Sequence, residues 1–185
     1  LLTSYNIKDY EKAIFDFSKA IALEPNNPIN HYERGNAYFL LKDYQRAIAD
    51  YSKAIELKPN DSNAYELRGF AYFYLKGYQR AIADYTKVLE LKTNDANAYE
   101  LRGFAYFYLK GYQRAIADYS KAIELKPNNT NAYVLRGLAY YKLLDYQKAI
   151  TDVQQASRLY YQQNNREGFQ KAEDLLQELQ SLINN

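Results

Sequence analysis

The stretch NAYELRGFAYFYLKGYQRAIADY stands at Asn63–Tyr85 and again, unchanged, at Asn97–Tyr119, 34 positions later. A second match keeps the same register. LKDYQRAIADYSKAIELKPN at Leu41–Asn60 returns as LKGYQRAIADYSKAIELKPN at Leu109–Asn128, with Gly111 in place of Asp43. Single positions extend the grid to both sides. Pro25, Pro59 and Pro127 lie on it, with Thr93 at the missing node. So do Gly35, Gly69, Gly103 and Gly137, the tyrosines Tyr38, Tyr72, Tyr106 and Tyr140, and the alanines Ala47, Ala81, Ala115 and Ala149. A fixed period of this length marks an array of small units, each unable to bury its apolar face alone and each completed by its neighbour.

Each unit reads as two helices. Tyr65, Gly69 and Tyr72 are spaced as one helical face, and Ala81, Tyr85, Val88 and Leu89 form another. Gly69 and Ala81 allow close approach of the two helices, and tyrosines fill the space beside them. Pro59 and Pro127 end the second helices, because proline lacks the N–H and disfavours a helical residue before it. Asn27-Pro28 reads as a helix start, with Asn27 as cap and Pro28 in the first turn.

These residues resemble the tetratricopeptide repeat family. The aromatic at Tyr65, the glycine at Gly69, and Tyr72, Ala81 and Tyr85 follow its pattern, with Thr93 at the place of its closing proline. The resemblance covers residues 1–163, with full repeats at 28–61, 62–95, 96–129 and 130–163. Val88, His31 and Tyr161 depart from the pattern, and Tyr161 predicts a helix that runs past its usual stop. Residues 1–27 keep the second helix of an earlier repeat, Tyr10–Leu23, with only the tail of a first helix before it. Leu1 falls near a packing-glycine position, so more repeats or a cap are expected upstream. At the other end Phe169, Ala172, Leu175, Leu176, Leu179, Leu182 and Ile183 form one stripe. Glu173, Asp174, Gln177, Glu178 and Gln180 form the opposite face, giving an amphipathic capping helix in 164–185. The implied fold is all-α, a right-handed helical-hairpin solenoid forming one array over 1–185.

Composition narrows the function classes. The 185 residues carry a formal charge of +2 with mixed signs, so no basic stripe points to nucleic acid. No cysteine is present, which excludes disulfides, thiolate zinc sites and a cysteine nucleophile. His31 is the only histidine and sits where other repeats have Tyr65, Tyr99 and Tyr133, so it reads as a packing residue. No nucleophile–base pair, calcium loop or phosphate-cradling glycine loop appears. No catalysis, metal or cofactor is expected. Asn60-Asp61-Ser62 and Asn128-Asn129-Thr130 match a glycosylation pattern, but helix-start chemistry explains them. No apolar run approaches ~18 residues, so no membrane partner is expected, and the cysteine-free chain is read as cytoplasmic.

One charge pattern is locked to the period. Arg34, Arg68, Arg102 and Arg136 each precede Asp50, Asp84, Asp118 and Asp152 by sixteen residues. An ion pair across each hairpin is preferred over an arginine row that binds acidic ligands, because a guanidinium fork suits a partly buried carboxylate.

In the family that this chain resembles, first helices line the concave face. That implies a peptide-binding groove made of Asn36, Phe39 and Leu40; Asn63, Glu66, Phe70, Phe73 and Tyr74; Asn97, Glu100, Phe104, Phe107 and Tyr108; and Asn131, Val134, Leu138, Tyr141 and Lys142. Independently, Phe70, Phe73 and Tyr74 lie off the Tyr65–Gly69–Tyr72 packing face, and exposed aromatic patches mark interaction sites. Some members of that family hold an acidic chaperone tail in a clamp of lysine, asparagine and arginine. Asn36 fits one clamp position, but Tyr32, Leu67, Asn97 and Leu101 stand at the others, so such a clamp is not expected. The expected function is a non-catalytic scaffold that binds a protein or peptide in an aromatic groove. The alternative is a self-assembling block joined through its ends. There Phe15, Phe17 and Ile21 would expose the N-terminal end while the C-terminal helix closes the other.

Overall fold

A computed structural model describes residues 4–184 and the side chains of 7–183. Leu1, named above, lies outside the described residues. Among those described, the secondary structure is helical, in ten helices. The chain falls into two compact units that divide after Thr93.

The first unit holds α1 (Ser4–Leu23), α2 (Pro28–Leu40), α3 (Tyr44–Leu57), α4 (Ser62–Tyr74) and α5 (Tyr78–Leu91). α2 pairs with α3 and α4 with α5, while α1 packs on α2 and α3 on α4. The second unit holds α6 (Ala96–Tyr108), α7 (Tyr112–Leu125), α8 (Thr130–Lys142), α9 (Tyr146–Gln162) and α10 (Arg166–Asn184). There α6 pairs with α7, α8 with α9, and α10 with α9, while α7 packs on α8.

The hairpins close on a small residue facing a large one. A Cβ added at Gly69 would stand 2.7 Å from Cε1 of Tyr85, whose ring is fully buried. Gly35 faces Tyr51 and Gly103 faces Tyr119 in the same way. In the last full repeat Val153 replaces the ring, and a Cβ at Gly137 would meet its Cγ2 at 3.2 Å. The buried alanines Ala47, Ala81, Ala115 and Ala149 complete the close contact. Each buried ring contributes about 2 kcal/mol of apolar transfer free energy.

Helix starts and turns follow the local chemistry. The Asn27 side chain accepts from Ile29 N, with Pro28 at the first helical position, and Asp61, Asp95 and Asn129 cap α4, α6 and α8. The two helices of a hairpin join through one residue in the left-handed region: Lys42, Lys76, Lys110 or Leu144. The amide after it bonds back five residues, as Asp43 N does to Tyr38 O at 2.9 Å, which satisfies a helix-end carbonyl. α9 runs to Gln162, past the usual stop, and then uses the same tight turn through Asn164 to enter α10.

Two expectations are corrected. α1 is one continuous helix from Ser4, so the described residues before Tyr10 continue it rather than form a separate first-helix tail. Ile7, Lys8 and Asp9 stand where Leu41, Lys42 and Asp43 turn, yet they stay helical. A left-handed lysine costs about 1 kcal/mol, which closing a hairpin offsets. In α10, Ala172, Leu176 and Leu179 are buried against Ala149, Ile150 and Val153. Leu182 and Ile183 extend past that contact and are exposed. Glu173, expected on the polar face, is half-buried and accepts a hydrogen bond from Ser157 Oγ at 2.5 Å.

Candidate functional site

The period-locked arginines and aspartates meet in every full repeat. Arg68 Nε donates to Asp84 Oδ2 at 2.9 Å and Nη2 donates to Oδ1 at 2.7 Å. Arg34 with Asp50, Arg102 with Asp118 and Arg136 with Asp152 repeat the fork, with Nη2 donors at 2.7 Å. The aspartates are buried and the arginines partly so. The hydrogen bond to its aspartate holds each of Arg34, Arg102 and Arg136 above the usual guanidinium range. Burial pushes the Asp84 carboxyl up by more than Arg68 pulls it down.

A third contact was not foreseen. Arg34 Nη1 donates to Ser18 Oγ at 3.1 Å, Arg68 to Ser52 at 3.0 Å and Arg136 to Ser120 at 2.9 Å. Each serine belongs to the preceding second helix, sixteen residues before the arginine. The arginine thus ties its own hairpin to the one before. The signal was present, since Ser18, Ser52 and Ser120 lie on the same grid. Nε, Nη1 and Nη2 of Arg34, Arg68 and Arg136 thus all bond within the protein, as in an intramolecular ion pair.

His31 is buried, and its Nε2 donates to Pro25 O at 2.9 Å. Its Nδ1 lies 3.8 Å from Asp50 Oδ1 and has no hydrogen-bond partner. No group of three or more metal-ligating side chains occurs among the described residues.

In the first unit the predicted ligand-facing residues fall into two sets. Asn36 is engaged, accepting from Tyr51 Oη at 2.9 Å and donating to Glu33 at 3.1 Å. Phe73 packs edge-on to Tyr78 across its own turn, as Phe39 does to Tyr44, and Phe70 stands edge-on to Tyr85. These half-buried rings serve the hairpin. Tyr74 differs: it stacks on Tyr44 at 4.9 Å, stands edge-on to Phe39, and is still 56% exposed. Leu40 and Asn63 are also exposed, with Lys92 Nζ 3.4 Å from Asn63 Oδ1. Glu66 is half-buried.

The second unit repeats this division. Phe107 packs edge-on to Tyr112 and against the core of Ala115, Tyr119 and Ala139. Tyr141 packs on the cluster that α10 closes, 5.9 Å from Tyr146. Val134 and Leu138 are half-buried. Tyr108 is 49% exposed beside Phe104 and Phe107. Asn97 and Asn131 are exposed. The Glu100 carboxylate accepts from Asn129 Nδ2 at 2.6 Å and from Asn131 Nδ2, which joins α6 to the start of α8. What stays open is a tyrosine at the end of α4 and of α6, each with exposed amides on the same helix or, in the second unit, also on α8.

Known proteins resemble this chain in repeat and fold. The tetratricopeptide repeat description fits residues 30–61, 62–95 and 130–167, and a related TPR repeat description fits 5–42 and 105–143. No curated protein matches the chain in sequence. Among solved structures, MamA from Desulfovibrio magneticus RS-1 (residues 41 to the end) is 27% identical, with a TM-score of 0.80 over 83% of this chain and 87% of that one. The first TPR of Spaghetti (RPAP3), solved bound to the HSP90 peptide SRMEEVD, is 32% identical, with a TM-score of 0.61 over 63% of this chain and 93% of that one. YrrB, described as a TPR protein with an unusual peptide-binding site, shares the fold at 22% identity and a TM-score of 0.66. The class is that of all-α helical-hairpin solenoids, and the chain belongs to the tetratricopeptide repeat family.

Proposed function

We propose that this chain is a non-catalytic interaction scaffold that holds partner peptides against the first helices of its repeats. The exposure of Tyr74 and Tyr108 carries the reading. Two large rings at one repeat position stay open to solvent while the neighbouring rings pack, and flat aromatic side chains are the usual anchors of interfaces. Asn63, Asn97 and Asn131 supply exposed amides for peptide backbone groups. The peptide-bound RPAP3 repeat, similar over 93% of its length, supports a peptide as the kind of ligand. The sequence SRMEEVD is not the expected ligand, since Tyr32, Leu67 and Leu101 occupy positions where an acid-gripping clamp needs bases.

The test uses peptides selected for binding from a random display library. Tyr74→Ala combined with Tyr108→Ala should weaken the selected peptides at least ~30-fold, as for an interface hot spot. The helical circular dichroism should be unchanged. Equal affinity in the folded double variant would refute the reading. One observation favours a second reading, assembly through the chain's N-terminal helix: Phe15 is 58% exposed on α1, though Phe17 and Ile21 are half-covered. Sedimentation of the parent against Phe15→Ser over a concentration series separates the two.

A further inference from the structure

At the hairpin turn of the first full repeat, Arg46 lies 4.7 Å over the Tyr38 ring and donates to Asp43 at 2.5 Å. The last full repeat keeps the arrangement, with Lys148 over Tyr140 and 2.6 Å from Asp145. The two middle repeats keep the cation and the ring but lose the acid. Gly77 and Gly111 stand in its place. Arg80 lies 5.6 Å over Tyr72 and Arg114 lies 5.7 Å over Tyr106. Among the described residues, neither forms a salt bridge of the kind that pairs Arg46 and Lys148 with their acids. Lys76 and Lys110, the exposed left-handed residues of these turns, add a second cation to each.

The backbone does not require glycine there. Gly77 and Gly111 have φ of −78° and −80°, and Asp43 holds −83° at the same place. Their loss of an aspartate leaves α5 and α7 without the side-chain cap that Asp43 and Asp145 provide. It also leaves space. In the first unit a pocket of about 400 Å³ is lined by Gln45, Ile48, Tyr72, Leu75, Gly77 and Arg80.

We infer that the Lys76–Gly77–Arg80 turn, and its copy Lys110–Gly111–Arg114, each seat a carboxylate side chain from an acidic peptide segment of a partner. The missing aspartate is supplied from outside. Arg80, over the Tyr72 ring, offers a fork for the carboxylate, and Ile48 and Leu75 offer apolar cover for its stem. The pocket shares Tyr72 with α4 but none of the groove residues named above, so this inference stands or falls independently of the peptide reading.

The test is fluorescence anisotropy with labelled hexaglutamate, hexalysine as control, and inorganic phosphate as competitor. The intact chain should bind hexaglutamate and not hexalysine. Gly77→Asp with Gly111→Asp restores the internal acid and should weaken binding by up to about fivefold, the upper end for an exposed ion pair. Gly77→Ala with Gly111→Ala should bind as the parent does, which separates charge from the presence of a side chain. Tyr74→Ala with Tyr108→Ala should also bind as the parent does, even if it loses the selected peptides. Absence of hexaglutamate binding in the parent would overturn the inference. So would equal binding by the aspartate variant, or a site that takes phosphate but not the peptide. A parent dimer that the aspartate variant abolishes, without peptide binding, would assign the turns to a second copy and would also overturn it.

Discussion

Tyr51 and Tyr119 occupy the same place in two repeats and differ in the partner of the phenol oxygen. Tyr51 Oη donates to Asn36, whereas Phe104 stands at the matching position and leaves Tyr119 Oη buried without a partner. A buried unpaired hydroxyl is unfavourable by roughly 1–3 kcal/mol, while a paired one contributes about 1 kcal/mol. Tyr119→Phe should therefore hold or raise stability, and Tyr51→Phe should lose about 1 kcal/mol. Urea unfolding of both variants checks this, and equal losses would contradict it. The packing glycines give a second contrast. Gly69→Ala drives a Cβ to 2.7 Å from a buried ring and should cost about 1–3 kcal/mol. Gly137→Ala meets only a valine methyl at 3.2 Å, and the gain in helix propensity, up to ~1 kcal/mol, opposes that strain. It should stay within about 1 kcal/mol of the parent by the same assay.

At the scale of the elements, the hairpin turns store strain in side chains rather than in glycine. Leu144 is 71% exposed at φ 61° and gains little from burial there. Leu144→Gly should stabilise by about 0.5–1 kcal/mol, because relief of the left-handed strain exceeds the entropy gained by the unfolded chain. Leu143→Gly, one residue earlier at φ −95°, relieves no such strain and should destabilise. A common sign for both, read by thermal unfolding, would refute the strain. These turns also show where sequence reading ended. The 34-residue grid made the hairpins and the Arg–Asp forks legible, because each rests on a residue type fixed in the period, and the overrunning α9 legible because Tyr161 breaks it at the closing position. The left-handed residue was not legible, since a lysine precedes the glycine that would have been chosen. The packing of Phe73 and Phe107 was missed for a different reason. Each lies off the packing face of its own helix, but Tyr78 and Tyr112 reach them across the turn, which spacing within one helix does not reveal. The serine link was missed because hydroxyls are common, and only the arginine's third donor singles these out.

For the whole molecule, three buried phenols couple folding to alkaline pH. Burial pushes Tyr51, Tyr85 and Tyr119 above the ordinary value of 10.0. Their unfolded forms then lose protons at a lower pH than the folded ones, so stability is full below pH 10.0 and falls as pH rises beyond it. Tyrosinate absorbance should rise in two steps, with the last step coinciding with loss of helical signal. Complete titration of all 22 tyrosines with the helices intact would contradict this burial. The exposed rings were legible in part: the sequence marked Tyr74 and Tyr108 but could not separate them from the rings that pack. The most direct test of their role is NMR of the isotope-labelled chain titrated with a selected peptide. Shifts should concentrate at Tyr74, Tyr108, Asn63, Asn97 and Asn131, with α1 and the second helices little changed. Shifts confined to α1, or to residues of the second helices, would contradict binding at the first-helix face.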